Sequence, residues 1–269
     1  MQLGEFDRGP GFRCPEGLPA PLRGFTEPSR PDEPAAAHLS GRPGADCALT
    51  STRGRATPVA LFHMRAIQAW FPTLVYSAPL ARRGLASLNR QLLVECRHLR
   101  STDDAGRRWC ARNYPGGYTS YGSVSVLHEV SPTFAELARR IGRHVRRYVV
   151  ALDLDMAGRQ LAMTDCWVNM MPRHAVHSLH LHPLSLVSGT YYLVTPPGSA
   201  AFKFEDPRVD RFMARPPVRD PARARTGPIV RYPAKAGHLV LFESWLRHEV
   251  PASETAAERI SISFNYGWC

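Results

Sequence analysis

In Arg259-Ile260-Ser261-Ile262-Ser263-Phe264-Asn265-Tyr266, polar and apolar residues alternate without a break. A period of two belongs to a strand, whose side chains point to opposite faces in turn. Ile260, Ile262, Phe264 and Tyr266 line one face, and Arg259, Ser261, Ser263 and Asn265 line the other. The polar face could meet solvent, or it could line a ligand cavity if the sheet closes into a barrel. This strand, read over 258–267, ends a series of candidates at 161–170, 177–183, 187–195, 200–204 and 237–243. Many short strands without crossover helices predict an antiparallel sandwich or barrel.

The chain before residue 161 has a different texture. Residues 1–60 hold nine Pro and eight Gly with no sustained helix or strand period, so 1–62 reads as a disordered extension. The aromatic and β-branched run Trp70–Tyr76 reads as a strand, and 80–100 as a helix. Residues 101–123, rich in Gly, Ser, Asp and Tyr, read as mostly loop. A second helix has a clear start: Ser131 can cap it, with Pro132 in its first position. Phe134, Leu137, Ala138, Ile141, Val145, Tyr148 and Val149 give it a buried stripe, and Arg139, Arg140, Arg143, Arg146 and Arg147 a solvated face. Residues 207–235, rich in Pro and Arg, read as a long irregular insertion. The domain therefore runs over 63–269, with 63–158 as helical support and 159–269 as the barrel core.

Composition bounds the function classes. Hydrophobic residues make up 44% and charged residues 21%, which excludes a wholly disordered chain. No apolar run reaches the ~18 residues of a membrane span, and MQLGEFDRGP lacks the basic start and apolar core of a secretory signal. The six cysteines, at 14, 47, 96, 110, 166 and 269, form no C-x-x-C pair and are too sparse for a disulfide framework. Reduced thiols in a cytoplasmic protein are the expectation. The net charge of +11 lies wholly in 63–269, with 27 basic residues against 16 acidic. The arginines are scattered and no nucleic-acid motif accompanies them, so nucleic acid is not the expected partner. The basic insertion raises the alternative of an acidic substrate or carrier. Oligomeric state is left open, a homodimer included.

Chemistry concentrates in two strings, His177-Ser178-Leu179-His180-Leu181-His182-Pro183 and Ser244-Trp245-Leu246-Arg247-His248-Glu249-Val250. On a strand His180 and His182 project together, and His248 is the candidate third ligand from a neighbouring strand. Three ligands on one face leave coordination positions open, as a catalytic metal requires. His177 has the wrong strand parity to join them, His174 is a weaker candidate, and His238 sits in an apolar strand as a structural residue. On the last strand Arg259 offers a planar fork for a carboxylate, supported by the Ser261 hydroxyl. H-x-H, a distant His, and Arg-x-Ser eleven residues later predict a metal beside a carboxylate anchor.

Together with GGYTSYGSVSVLHEVSPTFAEL, DCWVNMMPR, HSLHLHPLSLVSGTYYLVTPPG, FKFEDPR, LVLFESWLRHEVPA and ERISISFNY, these residues resemble the iron(II)- and 2-oxoglutarate-dependent oxygenase superfamily. The nearest match is its subgroup of uncharacterised bacterial 2-oxoglutarate–iron oxygenases, and the resemblance spans roughly 65–268. It implies a mainly β fold with flanking helices, a double-stranded β-helix of the jelly-roll or cupin-like kind. It also implies iron(II) as metal, 2-oxoglutarate and dioxygen as co-substrates, and succinate, carbon dioxide and an oxidised, unidentified substrate as products. By carry-over, His180 and His248 are metal ligands, Arg259 grips the far carboxylate of 2-oxoglutarate with Ser261 as its helper, and Asn169 and Tyr192 belong to the cavity wall. No catalytic residue beyond the metal centre is implied.

One position departs from the family. The superfamily's H-x-D becomes H-x-H, so a neutral His182 stands where an anionic ligand is usual. The third ligand is then His182, or a carboxylate from Asp206, Glu243 or Glu249. Three other readings stay open: a cupin-type three-His enzyme without 2-oxoglutarate, a three-His zinc site activating water, and a barrel that binds without turnover.

Overall fold

The computed structural model describes residues 70–216 and 227–268. The expected extension at 1–62, and Arg219, Arg223 and Arg225 of the basic insertion, lie outside the described residues. The chain order is β1 (Val75–Pro79), α1 (Ala86–Thr102), α2 (Asp104–Asn113), β2 (Tyr118–Thr119), α3 (Leu127–Val130) and α4 (Pro132–Ala151). There follow β3 (Leu161–Met171), β4 (His177–His180), β5 (Val187–Val194), β6 (Phe202–Glu205), β7 (Ile229–Tyr232), β8 (His238–Glu243), β9 (His248–Val250) and β10 (Arg259–Trp268). A short 3-10 turn, Val209–Phe212, lies between β6 and β7.

The strands form two antiparallel sheets, one of six in the order β1-β8-β5-β10-β3-β2 and one of four in the order β4-β9-β6-β7. Sequence-distant neighbours are the mark of a jelly-roll-like path. β10 is the central strand: it pairs with β3 on one side and β5 on the other, and both of its faces are buried. The polar face that sequence left open between solvent and cavity therefore turns inward. It does so in cross-strand rows, because directly paired residues share a face. Met171 and Arg259 make one row, Asn169, Ser261 and Tyr192 the next, then Trp167, Ser263 and Thr190, and then Asp165, Asn265, Ser188 and Phe242. The small sheet closes over this face through Phe202 and Phe204, whose rings meet Phe242 at 5.6 and 5.0 Å.

The opposite face of the large sheet packs on the helices. Tyr191 donates to Asn89 Oδ1 of α1 at 2.7 Å. α4 begins as expected, with the Ser131 hydroxyl accepting from the Phe134 N–H at 3.3 Å, and buries Phe134, Leu137, Ile141, Val145, Tyr148 and Val149. His144 ties it to the first strand region: Tyr76 Oη lies 2.8 Å from Nδ1, and Nε2 lies 2.9 Å from the Leu80 carbonyl. At the sheet's centre Gly189 leaves room for the Phe264 ring close to the backbone. A Cβ there would stand 2.6 Å from the Phe264 ring and 2.7 Å from the Val240 carbonyl oxygen. Gly189→Ala is expected to lower stability by about 1–3 kcal/mol through overpacking, read as a lower urea midpoint.

Several local expectations need correction. β1 starts five residues later than the aromatic run, because Trp70 and Phe71 are exposed. Residues 101–123 are not mostly loop. α2 occupies 104–113, started by the Asp103 carboxylate accepting from the Gly106 N–H at 2.8 Å. That helix buries only Gly106 and Cys110, so it has almost no apolar stripe to read. The insertion at 207–235 contains β7, which pairs with β6. Cys96, Cys110 and Cys166 are free and buried, and desolvation pushes the Cys96 thiol up to about 12. Among the described residues no helix is long and apolar enough to cross a membrane.

Candidate active site

His180, His182 and His248 meet at one end of the barrel, each offering a ring nitrogen within 4.8 Å of the others. They do not arrive as strand parity predicts. β4 ends at His180, and its pairing with β9 slips between His177 and His180. His182 sits on the following turn, which is pinned by its own N–H to the Ser244 carbonyl at 3.0 Å. His248 comes from β9, directly opposite His180 in register.

Hydrogen bonds orient two of the rings. His180 Nδ1 lies 2.6 Å from the Ser178 carbonyl and His248 Nδ1 lies 2.8 Å from the Leu246 carbonyl. A carbonyl only accepts, so both Nδ1 atoms carry the proton and both Nε2 lone pairs are free. His182 Nε2 is 3.2 Å from His248 Nε2. Imidazole nitrogens about 2.1 Å from a shared ion, at right angles, would be about 3.0 Å apart. Phe202, Phe242 and Phe204 surround His248, the first stacked at 5.1 Å. Desolvation, then the neighbouring imidazoles, hold His182 down at about 4 and His248 at about 2. Both are neutral at pH 7, the state a ligand needs. The donor set fits a divalent first-row metal.

None of the alternative carboxylates joins this group. Asp206 pairs with Arg208 and Arg211, and Glu249 pairs with Lys203 at 2.9 Å. Glu243 ends β8 and is not among the clustered ligands.

Beside the imidazoles lies a second cluster, at the start of β10. The Arg259 guanidinium is 4% exposed and lies over the Tyr192 ring at 5.0 Å. Nη1 approaches Met171 Sδ at 3.7 Å, and among the described residues no carboxylate is in ion-pair range. Desolvation lowers its affinity for the proton. Arg259 Nε, Tyr192 Oη, Asn169 Oδ1, Tyr114 Oη and His177 Nε2 are all buried without a hydrogen-bond partner. Buried polar atoms rarely go unpaired; Arg259 Nε, both tyrosine hydroxyls and His177 Nε2 can donate to a small anion, whereas Asn169 Oδ1 can only accept. Ser261 lies between Asn169 and Tyr192 in register, itself 3% exposed.

Sequence reasoning missed part of this pocket. Tyr114 follows α2 in a stretch read as loop, and no periodicity marks it. His177, set aside on parity, packs against Tyr114 with ring centroids 4.5 Å apart and lies 6.3 Å from the His180 ring. The slipped register between His177 and His180 defeats the parity argument. Desolvation, with His180 and Arg259 nearby, holds His177 at about 3. His174 is exposed near Glu254, away from the cluster, and His238 starts β8 opposite Pro79.

Comparison with known proteins agrees with this geometry. A family profile described as "Putative 2OG-Fe(II) oxygenase" matches residues 165–265. No curated protein matches significantly. Among solved structures, a prolyl-4-hydroxylase from Pseudomonas putida is 17% identical with a TM-score of 0.50, covering 72% of this chain and 92% of that one. HygX from Streptomyces hygroscopicus, with nickel, 2-oxoglutarate and hygromycin B bound, is 17% identical at a TM-score of 0.47, covering 72% and 83%. A 2OG-Fe(II) oxygenase family oxidoreductase from Burkholderia pseudomallei is 16% identical at 0.41, covering 70% and 92%. The first likeness identifies the fold as a double-stranded β-helix with flanking helices.

Proposed function

We propose that this chain, which belongs to the 2-oxoglutarate–iron(II) oxygenase superfamily, hydroxylates an unidentified substrate with iron(II) held by His180, His182 and His248. In this reading Arg259 and Ser261 anchor the far carboxylate of 2-oxoglutarate, and Asn169 and Tyr192 line its pocket. Succinate and carbon dioxide are the accompanying products. Residues 159–269 are the catalytic barrel and 63–158 its helical support. The carrying observation is the juxtaposition of three neutral imidazoles with a buried guanidinium that has no carboxylate in ion-pair range among the described residues.

Iron, when bound, supplies the redox chemistry that couples dioxygen activation to decarboxylation of the co-substrate. The chain's own residues do the rest. Ser178 and Leu246 carbonyls fix the tautomers of His180 and His248. Three ligands leave positions open for co-substrates. Arg259 presents a planar fork whose orphaned Nε has a bond still to make. Phe202, Phe204 and Phe242 keep water from the back of His248.

The test is an anaerobic iron(II) titration with and without 2-oxoglutarate, followed by a succinate assay in air. A charge-transfer absorption that needs both components, and succinate release in air, are expected. The all-histidine set also suits a cupin-type enzyme without 2-oxoglutarate. Iron binding on which 2-oxoglutarate has no effect would establish that reading instead.

A further inference from the structure

A carboxylate without a counter-ion stands at the rim of the cavity, beside an aromatic wall that reaches the histidines. Resting on the metal site proposed above, we infer that Asp165, Tyr121 and Trp167 recognise a cationic group of the substrate. The substrate class is an ammonium carried on a hydrocarbon or aromatic frame.

Asp165 lies where β3 enters the cavity. Its partner in register is Asn265, on the inner face of β10. Past this pair the register slips, so Thr164 has no partner on β10. Bulges of this kind re-aim side chains beside active sites. Before Asp165 the strand is partly covered, and from Cys166 onward it is buried, which puts the carboxylate at the rim. Thr164 Oγ1 and Asn265 Nδ2 both donate to Asp165 Oδ2, at 2.8 and 3.2 Å. Among the described residues nothing donates to Oδ1. In this arginine-rich chain Glu136, Glu205, Asp206, Glu249, Glu254 and Glu258 each pair with Arg or Lys. Asp165 has no such partner among the described residues. A half-buried carboxylate with an unused acceptor and no counter-ion attracts a cation more strongly than a fully solvated one does.

Tyr121 and Trp167 supply the apolar half of the site. Trp167 is two residues along β3 from Asp165 and so shares its face. Its ring lies 5.8 Å from that of His182, at 28°. Tyr121 packs on Trp167 with ring centroids 5.0 Å apart. The rings thus run from the metal site outward to the surface, where Tyr121 is 49% exposed. The loop that carries Tyr121 is fastened to β3. Ser120 N–H donates to the Val168 carbonyl at 3.1 Å, Val168 N–H to Ser120 Oγ at 3.2 Å, and Cys166 N–H to the Ser125 carbonyl at 2.6 Å. Gly122 lies so close to Trp109 that a Cβ would stand 2.7 Å from the indole. The Tyr121 ring is therefore presented in a fixed place, and little ordering is left to be lost when a ligand packs on it. Aromatic faces beside a carboxylate favour an ammonium over a neutral group of similar size. Held there, the cation sits at the rim and its carbon frame runs along Trp167 toward the three imidazoles.

The test uses the full chain and a pair of benzyl probes, the cation benzyltrimethylammonium and the neutral N-benzylacetamide. Affinities are read by saturation-transfer NMR on the metal-free protein. Location is read from the relaxation of probe protons once cobalt(II) is bound. Wild type is expected to hold the ammonium about 5–10-fold tighter than the amide. Asp165→Asn, which keeps the shape and removes the charge, should make the two affinities equal. Tyr121→Ala should weaken the ammonium about 2–5-fold. Cobalt(II) should speed the relaxation of the ammonium probe in wild type. Equal or undetectable binding of the two probes to wild type would overturn the inference, and so would an ammonium preference that survives Asp165→Asn. A preference with no cobalt(II) effect on relaxation would put the cation site away from the metal and overturn its part in substrate recognition. A wild-type chain that takes up neither cobalt(II) nor iron(II) would overturn the metal site itself, and the metal-free affinities would still decide for or against Asp165.

Discussion

Changing His180 to Ala is expected to abolish tight iron(II) binding, the 2-oxoglutarate-dependent absorption and succinate release, while leaving the fold intact. The two halves of this result come from different features. His180 is the exposed member of the triad, and among the described residues its ring's one hydrogen bond is to the Ser178 carbonyl in its own strand. Removing an exposed ring should move the urea midpoint by no more than ~0.5 kcal/mol. Its Nε2, however, is one of three donors, and loss of a direct ligand must exceed the roughly 10–100-fold effect of losing an outer-shell partner. His248→Ala should be equally dead but also unstable, because that ring is 2% exposed among Phe202, Phe204 and Phe242. Folded, metal-binding but inactive His180→Ala protein would remove His180 from the ligand set.

What sequence could show was set by how periodic each element is. β10 was legible because eight residues alternate and both faces are buried by different partners, helices on one side and the cavity on the other. α4 was legible because cap, proline and stripe agree. α2 carried a cap at Asp103 but buries so little that its period is silent. β9 has three residues and β7 four, too short for alternation to mean anything, although β9 delivers His248. The histidines were legible as residue types at suggestive spacing, yet the reason given for their convergence was wrong. A slipped register and a pinned turn bring them together, and neither leaves a trace in the pattern. The same irregularity returned His177 to the pocket after parity had set it aside.

Arg259→Met is expected to shift stability and co-substrate affinity in opposite directions. A buried guanidinium without a counter-ion is costly, and replacing such a charge by an apolar chain of similar size is often stabilising by about 1–4 kcal/mol. Arg259 is buried, its Nε lacks a partner, and its neighbours Met171 and Tyr192 would accept a thioether without leaving a void. The apoprotein should therefore melt higher than wild type. Binding of 2-oxoglutarate should weaken by about 2–5 kcal/mol, or roughly 30- to 5,000-fold, because one member of a buried charge pair is gone. Iron(II) affinity without 2-oxoglutarate should change little, since the imidazoles are untouched. A purely structural arginine would behave in the reverse manner: its loss would lower the melting temperature and leave 2-oxoglutarate affinity alone. Calorimetric melting of the apoprotein and anaerobic titration of 2-oxoglutarate onto the iron-loaded variant separate the two. The opposed signs follow from one physical fact, that this barrel carries a desolvated cation with no carboxylate in ion-pair range among the described residues.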